Sequence, residues 1–145
     1  MVEIRLVAQF DGSPAEVFAK VSDHESFFAG PWISCKVTRP GQSDRNGLGA
    51  TREVYPVGIR FVEEITVWDA PRSFEYRVRE CALPSNHELG RLTCAAKAGG
   101  TEVVWVTRFE IPIPLIGGPL TRLSAPVFSG SFRRLLERAG GRVAV

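Results

Sequence analysis

The chain is poor in cysteine and in net charge. Its three cysteines, Cys35, Cys81 and Cys94, are odd in number and far apart, with no C-x-x-C pair and no His/Cys cluster. Such spacing speaks against a disulfide framework and against a metal site, and a reducing, cytoplasmic setting fits it best. The net charge is only +2, too small to mark a nucleic-acid or membrane-surface binder. Arginines supply most of the positive charge and are scattered. Their one cluster, Arg133, Arg134 and Arg138, reads as a solvated helix face, with an anion or partner site as the alternative. No apolar run approaches the length of a membrane span, and no charged-then-apolar leader precedes the strand-like VEIRLVAQF at 2–10. Repeats, low-complexity tracts and linkers are absent. Gly99-Gly100 is a hairpin signal rather than a phosphate loop. No metal, nucleotide or flavin cofactor is expected.

What is present is a long run of strands. At 145 residues with 44% hydrophobic and 23% charged content, the chain is read as a single domain, 1–145, large enough for a core of its own. After a first strand at 2–10, Ser13, Pro14 and Glu16 form a helix-start signature for a helix over about 14–21. Asp23 reads as the cap of a second short helix ending near Phe28. Strands follow at about 32–38, 48–55, 59–68, 73–81, 87–97 and 101–110, with PGQSDRNG at 40–47 as a polar loop. The proline- and glycine-rich IPIPLIGGPL at 111–120 excludes regular structure, and a helix over about 119–139 closes the chain. Its expected inner stripe is Leu120, Leu123, Val127, Phe128, Ser131 and Leu135. Pro126 implies either a kink or a restart capped by Ser124. Strand, two helices, six strands and a helix make an α+β architecture.

Parity sorts the faces. Ile59, Phe61, Glu63, Ile65 and Val67 form the more apolar face of the fourth strand, Phe74, Tyr76 and Val78 that of the fifth, and Val103, Trp105, Thr107 and Phe109 that of the seventh. The sixth strand is ambiguous. For the third, pairing Val54 with Ile59 sets Arg52 against Phe61, points Arg52 inward near Glu63, and buries Leu48, Ala50 and Val54. Pairing Tyr55 with Ile59 turns Arg52 outward. The first register is favoured because it buries more apolar surface.

A curved sheet gripping one helix leaves a hollow, and a hollow lined by aromatics with a few polar groups is a ligand site by default. Glu63 is its sharpest residue. A carboxylate among apolar side chains has its charged form disfavoured, so Glu63 either faces a ligand or forms a buried ion pair with Arg52 or Arg91. His87 opens the sixth strand and lies either at the cavity mouth or in solvent. His24 reads as a surface residue. Phe61, Phe74, Tyr76, Trp105 and Phe109 are candidate lining residues, with ordinary core packing as the alternative. Phe27, Phe28 and Trp32 are candidates for an entrance, because adjacent phenylalanines cannot share one helix face and one is expected to be exposed. Val127 and Ser131 complete the candidate ligand-binding set.

The segments VFAKVSDHESF, NGLGATREV, FVEEITVWDAPRSFEYRV and GGTEVVWVTRFEIP, followed by the terminal helix, resemble the START-like (SRPBCC) superfamily of polyketide cyclases/dehydrases and lipid-transport proteins. The birch-pollen-type allergens and plant abscisic-acid receptors belong to it. The resemblance spans nearly the whole chain. It implies a helix-grip fold, in which seven antiparallel strands wrap around the C-terminal helix and enclose a hydrophobic cavity. In the receptors a glutamate on the matching strand lines the cavity, and Glu63 stands at the similar place. The loop that gates those receptors corresponds here to Tyr55–Gly58, whose shortness argues against a hormone-type gate. The functions implied are binding of a small hydrophobic, lipid-like or aromatic, ligand, or aromatase/cyclase chemistry without a cofactor. For the latter, Glu63, Arg52, Tyr76 and His87 are the catalytic candidates. A packed cavity would leave an interaction module, and pairing of two copies through a free sheet edge stays open.

Overall fold

Alternation at the start of the chain produces β1 (Val2–Phe10), and Ser13 then starts α1 (Pro14–Val21). The Ser13 hydroxyl accepts from the Glu16 N–H at 3.2 Å, with Pro14 in the first turn, so the helix begins where the cap chemistry places it. Val17, Phe18 and Val21 form its buried side. The next helix, α2 (His24–Phe27), is a single turn, and Asp23 makes no side-chain capping bond to it. Phe27 and Phe28 are both buried, contrary to the expectation that one is exposed. The helix ends at Phe28, so no second turn separates the two rings onto different faces, and both pack edge-on or tilted against Trp105.

The remaining strands are β2 (Ile33–Arg39), β3 (Thr51–Pro56), β4 (Phe61–Asp69), β5 (Ser73–Cys81), β6 (Asn86–Lys97), β7 (Gly100–Glu110) and the two-residue β8 (Arg142–Val143), with α3 (Gly117–Arg138) before the last. They form one antiparallel sheet in the order β2-β3-β4-β5-β6-β7-β1-β8. This computed structural model describes residues 1–82 and 84–144. The long strands grip α3 as a helix-grip fold requires, and β8 adds a short eighth strand beside β1.

Two corrections concern faces and register, and one open face is settled. In β3–β4, Val54 pairs with Phe61 and Arg52 with Glu63, two residues from the favoured register. The turn is longer than a tight hairpin, with Val57 at φ 51° and Gly58 at φ 80°. A shift of two preserves the face, so Arg52 still points inward, whereas Leu48 falls in the preceding loop and is 42% exposed. In β4, a bulge between Ile65 and Val67 reverses parity. Val67 turns out, and Trp68 turns in against Phe18 and Phe74. In β6, Gly90, Leu92 and Cys94 form the inner side.

Helix α3 runs unbroken through Pro126, so it neither stops nor restarts at Ser124, whose hydroxyl donates to the Thr121 carbonyl. Its inner face differs from the expected stripe. Thr121, Phe128, Phe132, Leu135 and Leu136 turn towards the sheet, while Leu120, Leu123 and Val127 are exposed. The N-terminal half is apolar on more than one side, so periodicity alone does not choose. Stacking of Phe132 on Trp105 at 4.3 Å, and of Phe128 edge-on to Phe61 and Phe109, fixes the rotation.

Candidate functional site

Between the sheet and the middle of α3 lies a cavity of about 110 Å³. Its walls are almost wholly apolar. Phe28, Phe61, Trp105, Phe109, Phe128 and Phe132 supply the aromatic surface. The polar side chains at the wall are Glu63, Tyr76, His87, Thr107, Ser85 and Ser124, together with the Cys81 thiol.

Glu63 sits on β4 directly opposite Arg52 on β3, and the pairing joins their side chains. Arg52 Nε donates to Glu63 Oε1 at 2.8 Å, its Nη2 lies 2.8 Å from the same oxygen as an ion pair, and Arg52 is 1% exposed. Removing such a charge from water is costly unless partners surround it. The guanidinium accordingly lies between the rings of Phe28 and Tyr76, at 4.8 and 4.7 Å from their centroids. Its Nη1 donates to His24 Nδ1 at 2.9 Å. His24 must then carry its proton on Nε2, which donates to the Asn46 carbonyl at 3.0 Å. Burial, with Arg52 alongside, holds the His24 imidazole well below its ordinary range, so it stays neutral. His24 is fully buried and is not the surface residue expected. The signal was present in Asn46 of the polar loop, but only folding brings that loop over α2.

Tyr76 is placed by Gly90, its partner across β5–β6. Any Cβ at position 90 would strike the phenol ring, so the glycine lets the ring lie flat on the sheet. The Tyr76 hydroxyl accepts from Trp105 Nε1 at 2.9 Å. Its pKa is pushed up to about 12, mainly by burial and next by the Glu63 charge, with Arg52 opposing. His87 stacks on Tyr76 at 5.4 Å. Its Nδ1 accepts from the Val78 N–H, so Nε2–H donates to Thr107 Oγ1 at 2.8 Å. Burial, then Arg77 and Arg52, lowers His87 to about 4. Both ring nitrogens are thus committed.

Of the sequence-derived candidates, Glu63, Tyr76, His87, Phe28, Phe61, Trp105 and Phe109 are brought together at the cavity wall. Arg52 lies directly behind Glu63. Four residues lie elsewhere. Phe74 belongs to the packed core with Phe18 and Trp68. Trp32 donates from Nε1 to Ser131 Oγ at 2.8 Å beneath Arg134, which occupies both residues outside the wall. Val127 is 64% exposed, because α3 is rotated as described. Phe132, Val78, Pro56 and Ile111 line the cavity without having been singled out. Phe132 falls outside the stripe drawn from periodicity, and only its stacking on Trp105 reveals it.

A curved antiparallel sheet closed by a C-terminal helix over an aromatic cavity defines a helix-grip protein. Residues 1–143 match the family described as "Polyketide cyclase / dehydrase and lipid transport", and the chain belongs to that family. Solved structures agree in fold. One is a protein from Thermus thermophilus, at 20% identity and TM-score 0.75, covering 95% of this chain and 94% of that one. A START superfamily protein from Mycobacterium smegmatis shows 12% identity and TM-score 0.71, covering 93% and 94%. Ara h 8.0201 shows 14% identity and TM-score 0.68, covering 95% and 97%. Comparison with curated proteins returns no match. Among the described residues, no helix is long and apolar enough to cross a membrane.

Proposed function

We propose that residues 1–145 act as one domain that binds a single small hydrophobic molecule in the cavity between the sheet and α3. One observation carries the reading: seven aromatic side chains, Tyr76 among them, converge on a cavity of about 110 Å³. A ring burying roughly 150–200 Å² there would gain about 4–5 kcal/mol from the hydrophobic effect. Dissociation constants in the millimolar to micromolar range are therefore expected for single rings. Lipid-like or polyketide-like ligands would need the cavity to widen, since pockets for drug-sized molecules are typically about 300–1,000 Å³. A cytoplasmic location is in keeping with the free cysteines.

A cyclase-type activity is the second reading, favoured by the carboxylate at the wall. It would assign proton transfer to Glu63. His87 has both nitrogens engaged, and Tyr76, raised to about 12, holds its proton at neutral pH. Arg52 would orient Glu63. Native mass spectrometry of the purified protein, before and after denaturing extraction, is the direct test. A stoichiometric small molecule, or uptake of a hydrophobic fluorescent probe by the empty protein, is expected. An empty protein that takes up no probe overturns the binding reading and leaves an interaction module. Turnover of a model β-ketone, lost in Glu63→Gln, would establish the second.

A further inference from the structure

The two oxygens of Glu63 are not equivalent. The Arg52 Nε bond and the Nη2 ion-pair contact both fall on Oε1, and no hydrogen bond reaches Oε2 from the described residues. No described side-chain polar atom is fully buried without a partner, so Oε2 is accessible. The space beside Glu63 is the cavity it lines. One carboxylate oxygen therefore presents its lone pairs to a largely apolar chamber.

Several donors near it are already engaged, while the Tyr76, Thr107 and Ser85 hydroxyl protons have no acceptor among the described residues. Trp105 Nε1–H serves the Tyr76 hydroxyl, His87 Nε2–H serves Thr107, and the Ser124 hydroxyl serves the Thr121 carbonyl. Arg52 stands behind the carboxylate with its fork turned to Oε1 and its Nη1 to His24. An anionic ligand would meet a bare carboxylate oxygen and, among the described lining residues, neutral hydroxyls but no lysine or arginine to offset its charge. The electrostatics agree: at the Tyr76 hydroxyl the Glu63 charge outweighs that of Arg52. An ammonium would have to leave water for a chamber whose only carboxylate among the described residues is already neutralised by Arg52, which is costly. A neutral donor loses little on entry and gains a charge-assisted bond.

Resting on the binding reading above, we propose that the cavity selects a small neutral ring bearing one hydroxyl donor, seated on Glu63 Oε2, and rejects carboxylates. The volume of about 110 Å³ sets the size to a single ring, since an apolar cavity of about 150 Å³ holds benzene. The donor sets the orientation, with the hydroxyl towards β4 and the ring edge towards Phe109 and Phe128.

The test is NMR titration of the full chain with phenol, toluene and benzoate at neutral pH. Phenol and toluene have nearly the same shape, and a purely apolar pocket prefers toluene. Phenol is expected to bind at least about tenfold more tightly than both, because a hydrogen bond to a charged acceptor contributes about 1.5–3 kcal/mol. In Glu63→Gln the phenol affinity should fall about tenfold while the toluene affinity holds. Should that variant not fold, the three-ligand comparison in the natural chain decides alone. Toluene binding as well as or better than phenol, or benzoate binding best, overturns the selection while leaving the container intact. Binding of none of the three overturns both readings.

Discussion

The two ends of the sheet are built from the same strands and differ in how they are covered. At one end, Phe10 on β1, Phe74 on β5, Leu92 on β6 and Val103 on β7 meet Val17 and Val21 of α1 and Leu135 and Leu136 of α3, all 1% exposed or less. At the other end, Phe61 on β4, His87 on β6 and Phe109 on β7 face the middle of α3 across open space. Two layers of helix close the first end. The second receives only the earlier half of α3 and the proline-rich segment before it. Five of the exposed apolar residues, Leu115, Ile116, Leu120, Leu123 and Val127, belong to that covering segment. A hollow thus arises from missing cover rather than from a different strand pattern.

Substitution at the packed end should break the protein, and the same substitution at the hollow end should not. Phe74→Ala is expected to cost about 3–5 kcal/mol, as deletion of a buried ring in a filled core does. Phe128→Ala should cost only about 1 kcal/mol, because its ring already borders empty space. Urea unfolding of both variants checks the contrast, and equal losses would mean that the cavity end is as tightly packed as the other.

Acid should act on both regions through their neutral histidines. Folding lowers His24 well below its ordinary value and His87 to about 4. An unfolded histidine takes up a proton near pH 6.5, so the stability these residues contribute is complete above that pH and lost as pH falls. Each contributes a slope of up to about 1.4 kcal/mol per pH unit, for His87 between about pH 6.5 and about 4. His87→Gln should roughly halve the slope over pH 6.5–4.5 and leave the part due to His24. An unchanged slope would show that His87 titrates alike in both states. The smallest effect belongs to the exposed stripe: Leu123→Ser should change stability by less than about 0.5 kcal/mol, and a larger loss would place that face in a contact.

Much of this was legible beforehand because it is local or periodic. Ser13-Pro14 marks a helix start whatever surrounds it, and alternation in β5 and β7 identifies Tyr76, Trp105 and Phe109 as inward residues. The fold class and the prominence of Glu63 followed from those faces. The rest was not legible because it is settled by contacts between distant segments. The bulge after Ile65 sends Trp68 inward and Val67 outward, and nothing local demands it. Periodicity on α3 offered several apolar faces, and Trp105 chose the one bearing Phe132.

The sequence by itself determined the order of elements and the inward parity of most strands, because both are local or periodic; it left open whether Arg52 shares the Glu63 face, since a one-residue slip would have turned it outward. Only the tertiary structure decided that His24 would be buried against Arg52, that Gly90 would seat Tyr76, and that one oxygen of Glu63 would be left free. Those outcomes depend on which segments meet in space, and desolvation makes each buried polar atom find its partner among whatever folding has brought near.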